Sequence, residues 1–314
     1  MNKIKITRSI WFRILRKIFW ANNVVRFFTR PINDELFIKA NYWWTTLQKL
    51  DINNPKLYTE KLQWVNKNCK DRRVMMCSDK LLVRDYIIEK LGQERGNEIL
   101  NTLHYVYSDP DEIDFNSLPV KCVLKANHGS GWNLIIKDKN EINWNAAKNQ
   151  MKRWMRSNYY CHNREYQYKN MVPKILCEAF LENDDGSEIW DYKFMCFNGE
   201  PIMLWIDYDR NTKHIRNFYD LEGNPLYYES DVSANYNVPF EKPENYERMV
   251  EIARCLSKPF PHVRIDLYNI NGRIIFGEMT FTSWGGFVLF KTPELNNIWG
   301  NRFSISNTEL NSTN

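Results

Sequence analysis

The sequence predicts an α+β fold built on antiparallel sheet. Three observations carry that prediction: helical periodicity up to about residue 100, short strands joined by tight turns beyond residue 174, and a closing hairpin within residues 263–280. Residues 34–100 read mainly as helices with polar joints. Within them Ser78-Asp79-Lys80 runs into Leu81, Leu82, Val83, Tyr86, Ile87 and Ile88, with Ser78 or Asp79 as the expected cap. Past the turn-rich Ser108-Asp109-Pro110-Asp111, residues 120–126 are a strand candidate. A glycine loop, a second short strand over 134–137 and a helix over 145–155 come next. Strands over 175–181, 192–197, 202–206 and 217–221 follow, with Asn198-Gly199 and Glu222-Gly223 as turns. Pro243 starts a helix that runs through Leu256, and strands over 263–268 and 273–280 close around Asn269-Ile270-Asn271-Gly272.

Composition removes several function classes. At 314 residues and 43% hydrophobic content the chain can bury a large core, and its 15% aromatic content fits that core or sugar-facing surfaces. The seven cysteines are odd in number and scattered, with neither CxxC pairs nor histidines at metal spacing. The expectation is reduced thiols in a cytoplasm and no structural zinc. Of the net charge of +5, residues 1–30 contribute eight cations and no acid, which leaves the remainder at −3. Basic character is therefore local, and nucleic acid is excluded as a partner. In that stretch Trp11, Ile14, Leu15 and Ile18 recur at helical spacing opposite Arg13, Arg16 and Lys17. Charges interrupt it too often for a membrane span, and no small-residue cleavage site follows. Two readings remain: attachment to an anionic membrane surface, or packing on the domain itself.

Two segments carry chemistry. Lys125-Ala126-Asn127-His128-Gly129-Ser130-Gly131-Trp132-Asn133 joins two strands through a loop whose glycines let backbone N–H groups approach a phosphate, with Lys125 as a point charge. It matches neither a Walker A nor a dinucleotide fingerprint, and an ordinary hairpin connection fits it equally. In the last hairpin Arg264-Ile265-Asp266 faces Phe276-Gly277-Glu278-Met279-Thr280. Alternation puts Arg264 and Asp266 on one side, and Asp266 with Glu278 can hold Mg²⁺ if the register brings both there; the register is not legible. Arg210, His214 and Arg216 form a further cationic cluster suited to a transferring phosphoryl group or an acidic substrate, or else a surface turn. Asp207-Tyr208-Asp209 is a DxD of the kind that binds a nucleotide-sugar metal, which makes a glycosyltransferase the alternative; Asp109-Pro110-Asp111 matches as well without context.

Taken in order, Lys80, Lys125 with its glycine loop, Glu178, Asp191 and the Arg-x-Asp…Glu hairpin resemble the ATP-grasp superfamily. Tyr58-Thr59-Glu60-Lys61-Leu62-Gln63-Trp64, Asp79-Lys80, Asp191-Tyr192-Lys193-Phe194 and Phe276-Gly277-Glu278-Met279-Thr280-Phe281 look like its subfamily named for teichuronopeptide biosynthesis, over roughly residues 50–300. The resemblance implies a nucleotide held between two antiparallel-sheet lobes, with ATP and Mg²⁺ as cofactors. Lys80 and Lys125 would hold the phosphates under Gly129, Ser130 and Gly131, with His128 nearby. Glu178, Ala179, Phe180 and Leu181 would form the adenine hinge, and Asp191 would take the ribose, with Lys193 beside it. Asp266, Glu278 and Thr280 would hold the metal, although many superfamily members carry Asn where Thr280 stands. Arg264, Lys193 and Arg216 would serve the transferring group. The chain divides on this reading into a basic helix over 1–33, a mainly helical lobe over 34–115, a small lobe with loop and hinge over 116–184, a large lobe with the metal hairpin over 185–303, and a tail over 304–314. The implied activity is an ATP-dependent carboxylate–amine ligase acting through an acyl phosphate, its carboxylate a glycan uronic acid or another acid. An ATP-grasp phosphotransferase is the second alternative.

Overall fold

The computed structural model describes residues 33–208, 214–230, 232–237 and 240–305. The basic N-terminal helix expected from sequence and the tail beyond residue 305 lie outside the described residues. Five helices open the described chain: α1 (Asp34–Thr46), α2 (Tyr58–Asn68), α3 (Arg72–Ser78), α4 (Val83–Leu91) and α5 (Gln93–Ile99). Strands β1 (Leu103–Tyr107), β2 (Cys122–Ala126) and β3 (Asn133–Ile136) follow, then α6 (Trp144–Arg156), the single-turn α7 (Tyr160–Asn163) and β4 (Ile175–Ala179). The remainder is β5 (Asp191–Phe197), β6 (Glu200–Tyr208), β7 (Ile215–Tyr219), α8 (Tyr246–Ser257), β8 (His262–Ile270), β9 (Arg273–Thr280) and α9 (Glu294–Arg302).

The strands form two antiparallel sheets, one of order β1-β4-β2-β3 and one of order β7-β6-β5-β8-β9. Asn198-Gly199 and Asn271-Gly272 both take left-handed backbone, with φ of 51° and 80° and of 52° and 81°. Paired positive φ matches the strand twist, which is why these dipeptides make two-residue hairpin turns. Alternation along β5 sends Tyr192, Phe194 and Cys196 into a core shared with Met249, Ile252, Ala253 and Leu256 of α8, while Asp191 and Lys193 point to the other face.

Two boundaries expected from sequence change. Strand β1 pairs with β4, so the small sheet begins before residue 116. Only Tyr107 of that edge strand is buried, so it lacks the alternation that marks a strand in sequence. Residues 58–100 also form no separate helical lobe. Tyr58, Leu62, Val74, Tyr86 and Ile87 bury in one cluster with Phe194, Trp205, Leu256 and Ile265 of the large sheet and its helix, because their apolar faces have no core of their own.

Candidate active site

One cleft of about 470 Å³ runs between the two sheets. Lys80, Lys125, Ser130, Gly131, Trp132 and Glu178 line it from the small-sheet side. Across it stand Asp191, Lys193, Trp205, Asp207, Arg216, Arg264, Asp266, Glu278 and Trp284.

The large-sheet residues share a face because of the register. Lys193 lies opposite Trp205 on β6 and opposite Asp266 on β8, and Asp266 lies opposite Glu278 on β9. One row away, Asp191 is opposite Asp207, which is opposite Arg216. A bulge decides the position of Glu278. Leu267 pairs with Phe276 but Asp266 pairs with Glu278, so Gly277 is the extra residue. A Cβ at Gly277 would sit 3.0 Å from the carbonyl oxygen of Asp266, so that backbone would have to give by a few tenths of an ångström.

Arg264 gathers the carboxylates. Its Nε donates to Asp266 Oδ1 at 2.6 Å, and its Nη2 donates to Asp266 Oδ2 at 2.7 Å, Glu278 Oε1 at 2.8 Å and Thr280 Oγ1 at 2.9 Å. Lys193 Nζ stands 2.5 Å from Asp266 Oδ2 and 2.8 Å from Asp191 Oδ2. Burial pulls the Lys193 ammonium down, but Asp191 and Asp266 outweigh it and hold it above its usual range. Burial likewise pushes Glu278 up, yet Arg264, Lys193 and Lys80 prevail and leave it at about 2. Glu278 is therefore an anion at neutral pH.

On the opposite wall, alternation along β2 and β4 turns Lys125 and Glu178 away from the Cys122, Leu124 and Cys177 core, and Lys125 Nζ donates to Glu178 Oε2 at 2.7 Å. Asp79 caps the turn that leads to α4, accepting from the Leu81 and Leu82 amides at 2.8 and 3.3 Å. Its other oxygen accepts from Asn127 Nδ2 at 2.7 Å, and Lys80 Nζ donates to the carbonyl of Gly129. These bonds fasten the glycine loop to the helical segment. Burial pulls the Lys80 ammonium below its usual range.

Several sequence candidates sit elsewhere. His128 is buried behind the loop, its Nδ1 3.0 Å from Asn127 Oδ1 and its Nε2 3.0 Å from the carbonyl of Trp154, so it anchors the loop and is not among the cleft residues. Gly129 is also outside the lining; a Cβ there would strike Trp132 at 2.6 Å and Tyr159 at 2.9 Å. On β4 the lining stops at Glu178, short of Ala179, Phe180 and Leu181. The Ala179 N–H donates to the Thr102 carbonyl and the Ala179 carbonyl accepts from Asn101 Nδ2, 2.9 Å each, so its backbone is engaged within the protein. Thr280 touches Arg264 and Glu278 without lining the cleft.

Asp207, set aside in sequence as half of a DxD, is a cleft residue. It holds Arg216 through Nε at 2.7 Å and Nη2 at 3.3 Å, and His214 Nε2 lies 2.9 Å from it. Asp209 and Arg210 lie outside the described residues. Trp205, Trp284, Asn101 and Tyr168 are further lining residues that sequence reasoning passed over. Only Trp284 carried a signal, the Gly285-Gly286 pair that follows it.

The family described as TupA-like ATPgrasp matches residues 60–304, well over half of the sequence. The chain belongs to that family. ATP-grasp family members are ATP-dependent carboxylate–amine ligases. No curated protein matches the sequence. Among solved structures, a D-alanine–D-alanine ligase from Bacillus anthracis complexed with ATP is similar at TM-score 0.42 and 15% identity, over 75% of this chain and 63% of that one. The Helicobacter pylori D-alanine–D-alanine ligase gives 0.42 and 14%, over 79% and 69%. The N5-carboxyaminoimidazole synthase of Aspergillus clavatus, with ADP and 5-aminoimidazole ribonucleotide, gives 0.37 and 10%, over 71% and 50%. The chain thus spans about 63% of the length of the first of these relatives.

The ATP-grasp family implies Mg²⁺, and the donor set fits it. Asp266 Oδ2 and Glu278 Oε1 both accept from one Arg264 nitrogen, at 2.7 and 2.8 Å, which sets the two carboxylates side by side. Hard oxygen ligands from one or two carboxylates, completed by phosphate oxygens, are what Mg²⁺ takes. Among the described residues no group of three or more His, Cys, Asp or Glu forms a metal cluster.

Proposed function

We propose that this chain is an ATP-dependent carboxylate–amine ligase whose nucleotide lies in the cleft with its triphosphate between the Lys80, Lys125, Ser130 and Gly131 wall and the Asp266–Glu278 pair. The observation that carries this reading is the convergence of Asp266 and Glu278 across the Gly277 bulge, facing two lysines and a glycine loop. Asp266 and Glu278 would hold Mg²⁺, with Thr280 beside them; the ion would neutralise charge on the transferring phosphoryl group. Lys80 and Lys125 bind phosphate oxygens as point charges, and the Ser130 and Gly131 backbone covers them. Asp191 is assigned to the ribose and Glu178 to the adenine end.

Phosphoryl transfer to a carboxylate needs no protein nucleophile. The acid's oxygen attacks the γ-phosphorus while Arg264 and Lys193, buried and fixed by their carboxylates, offset the developing charge. The acyl phosphate then meets an amine, and phosphate leaves. Arg216 supports the acid's end of the cleft. Family resemblance extends this reading to a glycan uronic acid of a bacterial surface polysaccharide, such as a capsule or O-antigen, amidated by an amino acid or amine. The cations of residues 1–30 suit attachment to the inner face of the plasma membrane. No helix among the described residues is long and apolar enough to cross a membrane.

Incubating the protein with Mg-ATP, a panel of acids including uronic-acid glycans, and a panel of amines tests the reading by mass spectrometry. ADP, phosphate and an amide should appear only when both acid and amine are present. A stable phosphorylated acid without phosphate release would identify a phosphotransferase instead, and turnover of a nucleotide sugar would refute the ligase outright.

A further inference from the structure

The cleft includes an aromatic wall that the phosphate chemistry does not use. Trp205 and Trp284 both line it, stacked at 5.6 Å between centroids and 20° between planes. The Arg264 guanidinium lies 5.4 Å from the Trp205 ring, and that of Arg216 lies 5.6 Å from each ring. Trp205 is fully buried, yet its Nε1 has no hydrogen-bond partner among the described residues. That N–H is itself buried, so Trp205 backs the wall and the partly exposed Trp284 presents it to the cleft.

Trp284 is held there against its own backbone preference. Its φ of 56° and ψ of 20° are left-handed, and Gly285 and Gly286 continue in the same region at 62° and 75°. Left-handed backbone at a bulky residue costs free energy that the surroundings must supply, and such strain gathers at functional sites. Here the supply is visible. Gln63 Nε2 and Asn66 Nδ2, both buried on α2, donate to the Gly285 carbonyl at 2.9 and 3.3 Å. A Cβ at Gly285 would strike Asn163 Nδ2 at 2.4 Å, and one at Gly286 would strike Gln63 Nε2 at 2.3 Å. Two glycines, two buried amides and the segment at Asn163 therefore fix one indole in the cleft.

The geometry points to Trp284 and Trp205 as the subsite for the acid substrate, and to that substrate as a carboxylic acid borne on a ring with a flat face. This rests on the ligase reading above for its assignment of the triphosphate to the lysine wall and the Asp266–Glu278 pair. The ring stacks on the Trp284 indole, which Trp205 backs, and the nearby guanidiniums draw the carboxylate toward the phosphoryl group. A polyhydroxylated sugar acid and an aromatic acid share this chemistry; an open-chain acid does not, because it has no face to stack.

Calorimetry on the full chain, saturated with Mg²⁺ and a non-hydrolysable ATP analogue, tests the subsite without needing turnover. The probes are glucuronic acid, benzoic acid and open-chain hexanoic acid. One of the two ring acids should bind at least tenfold more tightly than hexanoic acid, and which one does so identifies the ring. Trp284→Leu, which keeps bulk but loses the flat face, should erase that preference; Trp284→Phe should restore most of it. Nucleotide affinity should stay within twofold in both variants. Equal binding of ring and open-chain acids, no binding of either ring acid, or parallel loss of nucleotide and acid affinity in Trp284→Leu would each overturn the proposal. Failure of the ligase reading shows up separately, as absence of acid-dependent ADP release from the wild type.

Discussion

Replacing Asp207 by asparagine keeps the size and most hydrogen-bonding geometry of the side chain but removes the charge that holds Arg216. Asp207 is 1% exposed and Arg216 8%, so neither charge is relieved by water. Burial pushes the Asp207 carboxyl up, but Arg216 more than offsets this and lowers it from 3.8 to about 2. At about 1.4 kcal/mol per pKa unit, that depression corresponds to roughly 2–3 kcal/mol of stability at neutral pH. Stranding a buried cation by removing its partner typically costs about 3–5 kcal/mol, so Asp207→Asn should lose about 2–5 kcal/mol in urea unfolding at pH 7. The sign of the pH dependence gives a second check. A carboxyl whose folded pKa is depressed stabilises fully above its unfolded pKa near 4 and loses that contribution as pH falls toward about 2. The gap between wild type and variant should therefore stay constant from pH 7 to pH 5 and close below pH 4. A gap smaller than about 0.5 kcal/mol at pH 7, the size of an ordinary surface substitution, would refute the reasoning. Parallel pH profiles would do the same.

Lys125→Ala should weaken ATP binding at least tenfold by calorimetry, about 1.4 kcal/mol. Glu278→Gln should still bind nucleotide while ADP release falls at least a hundredfold, because the charge removed belongs to the metal pair; wild-type ADP release from it would remove Glu278 from that role. Gly286→Ala combines a φ of 75° with a Cβ 2.3 Å from Gln63 Nε2, and should lower stability by about 1–3 kcal/mol, read as a shifted thermal midpoint. Glu165 is raised from 4.5 to about 7 by burial, against the opposing hydrogen bonds of Thr282 and Asn163. A raised carboxyl stabilises below its unfolded pKa and loses that contribution as pH climbs through the folded value. Glu165→Gln should thus gain up to about 3 kcal/mol on the wild type between pH 5 and pH 8, and a constant difference across that range would count against a buried, protonated Glu165.

The sequence by itself determined most of the strands, their turns and the chemistry they carry. Strict alternation in Asp191-Tyr192-Lys193-Phe194 and Arg264-Ile265-Asp266 assigns charged and apolar residues to opposite faces, since side chains on a strand repeat every two residues. Asn198-Gly199 and Asn271-Gly272 mark their turns because their backbone preferences are local. The order of lysines, glycine loop and carboxylate hairpin was enough to find the family.

Whatever depends on partners distant in the chain was decided only by the tertiary structure. Continuing the register of Leu267 and Phe276 without the Gly277 bulge would place Gly277 opposite Asp266 and turn Glu278 to the apolar face. One extra residue, fitted closely against the Asp266 backbone, is what brings the two carboxylates together. His128, expected near the phosphates from its place beside the glycines, has its ring turned inward to the Trp154 carbonyl by packing. Asp207 looked like half of a common DxD until strand pairing set Arg216 opposite it. Trp284 reaches the cleft only because Gln63 and Asn66, more than two hundred residues earlier, hold the backbone that follows it. Propensity and alternation act over a few residues and are written in the sequence. Register, burial and strain depend on which distant segments meet, and no local pattern encodes those meetings.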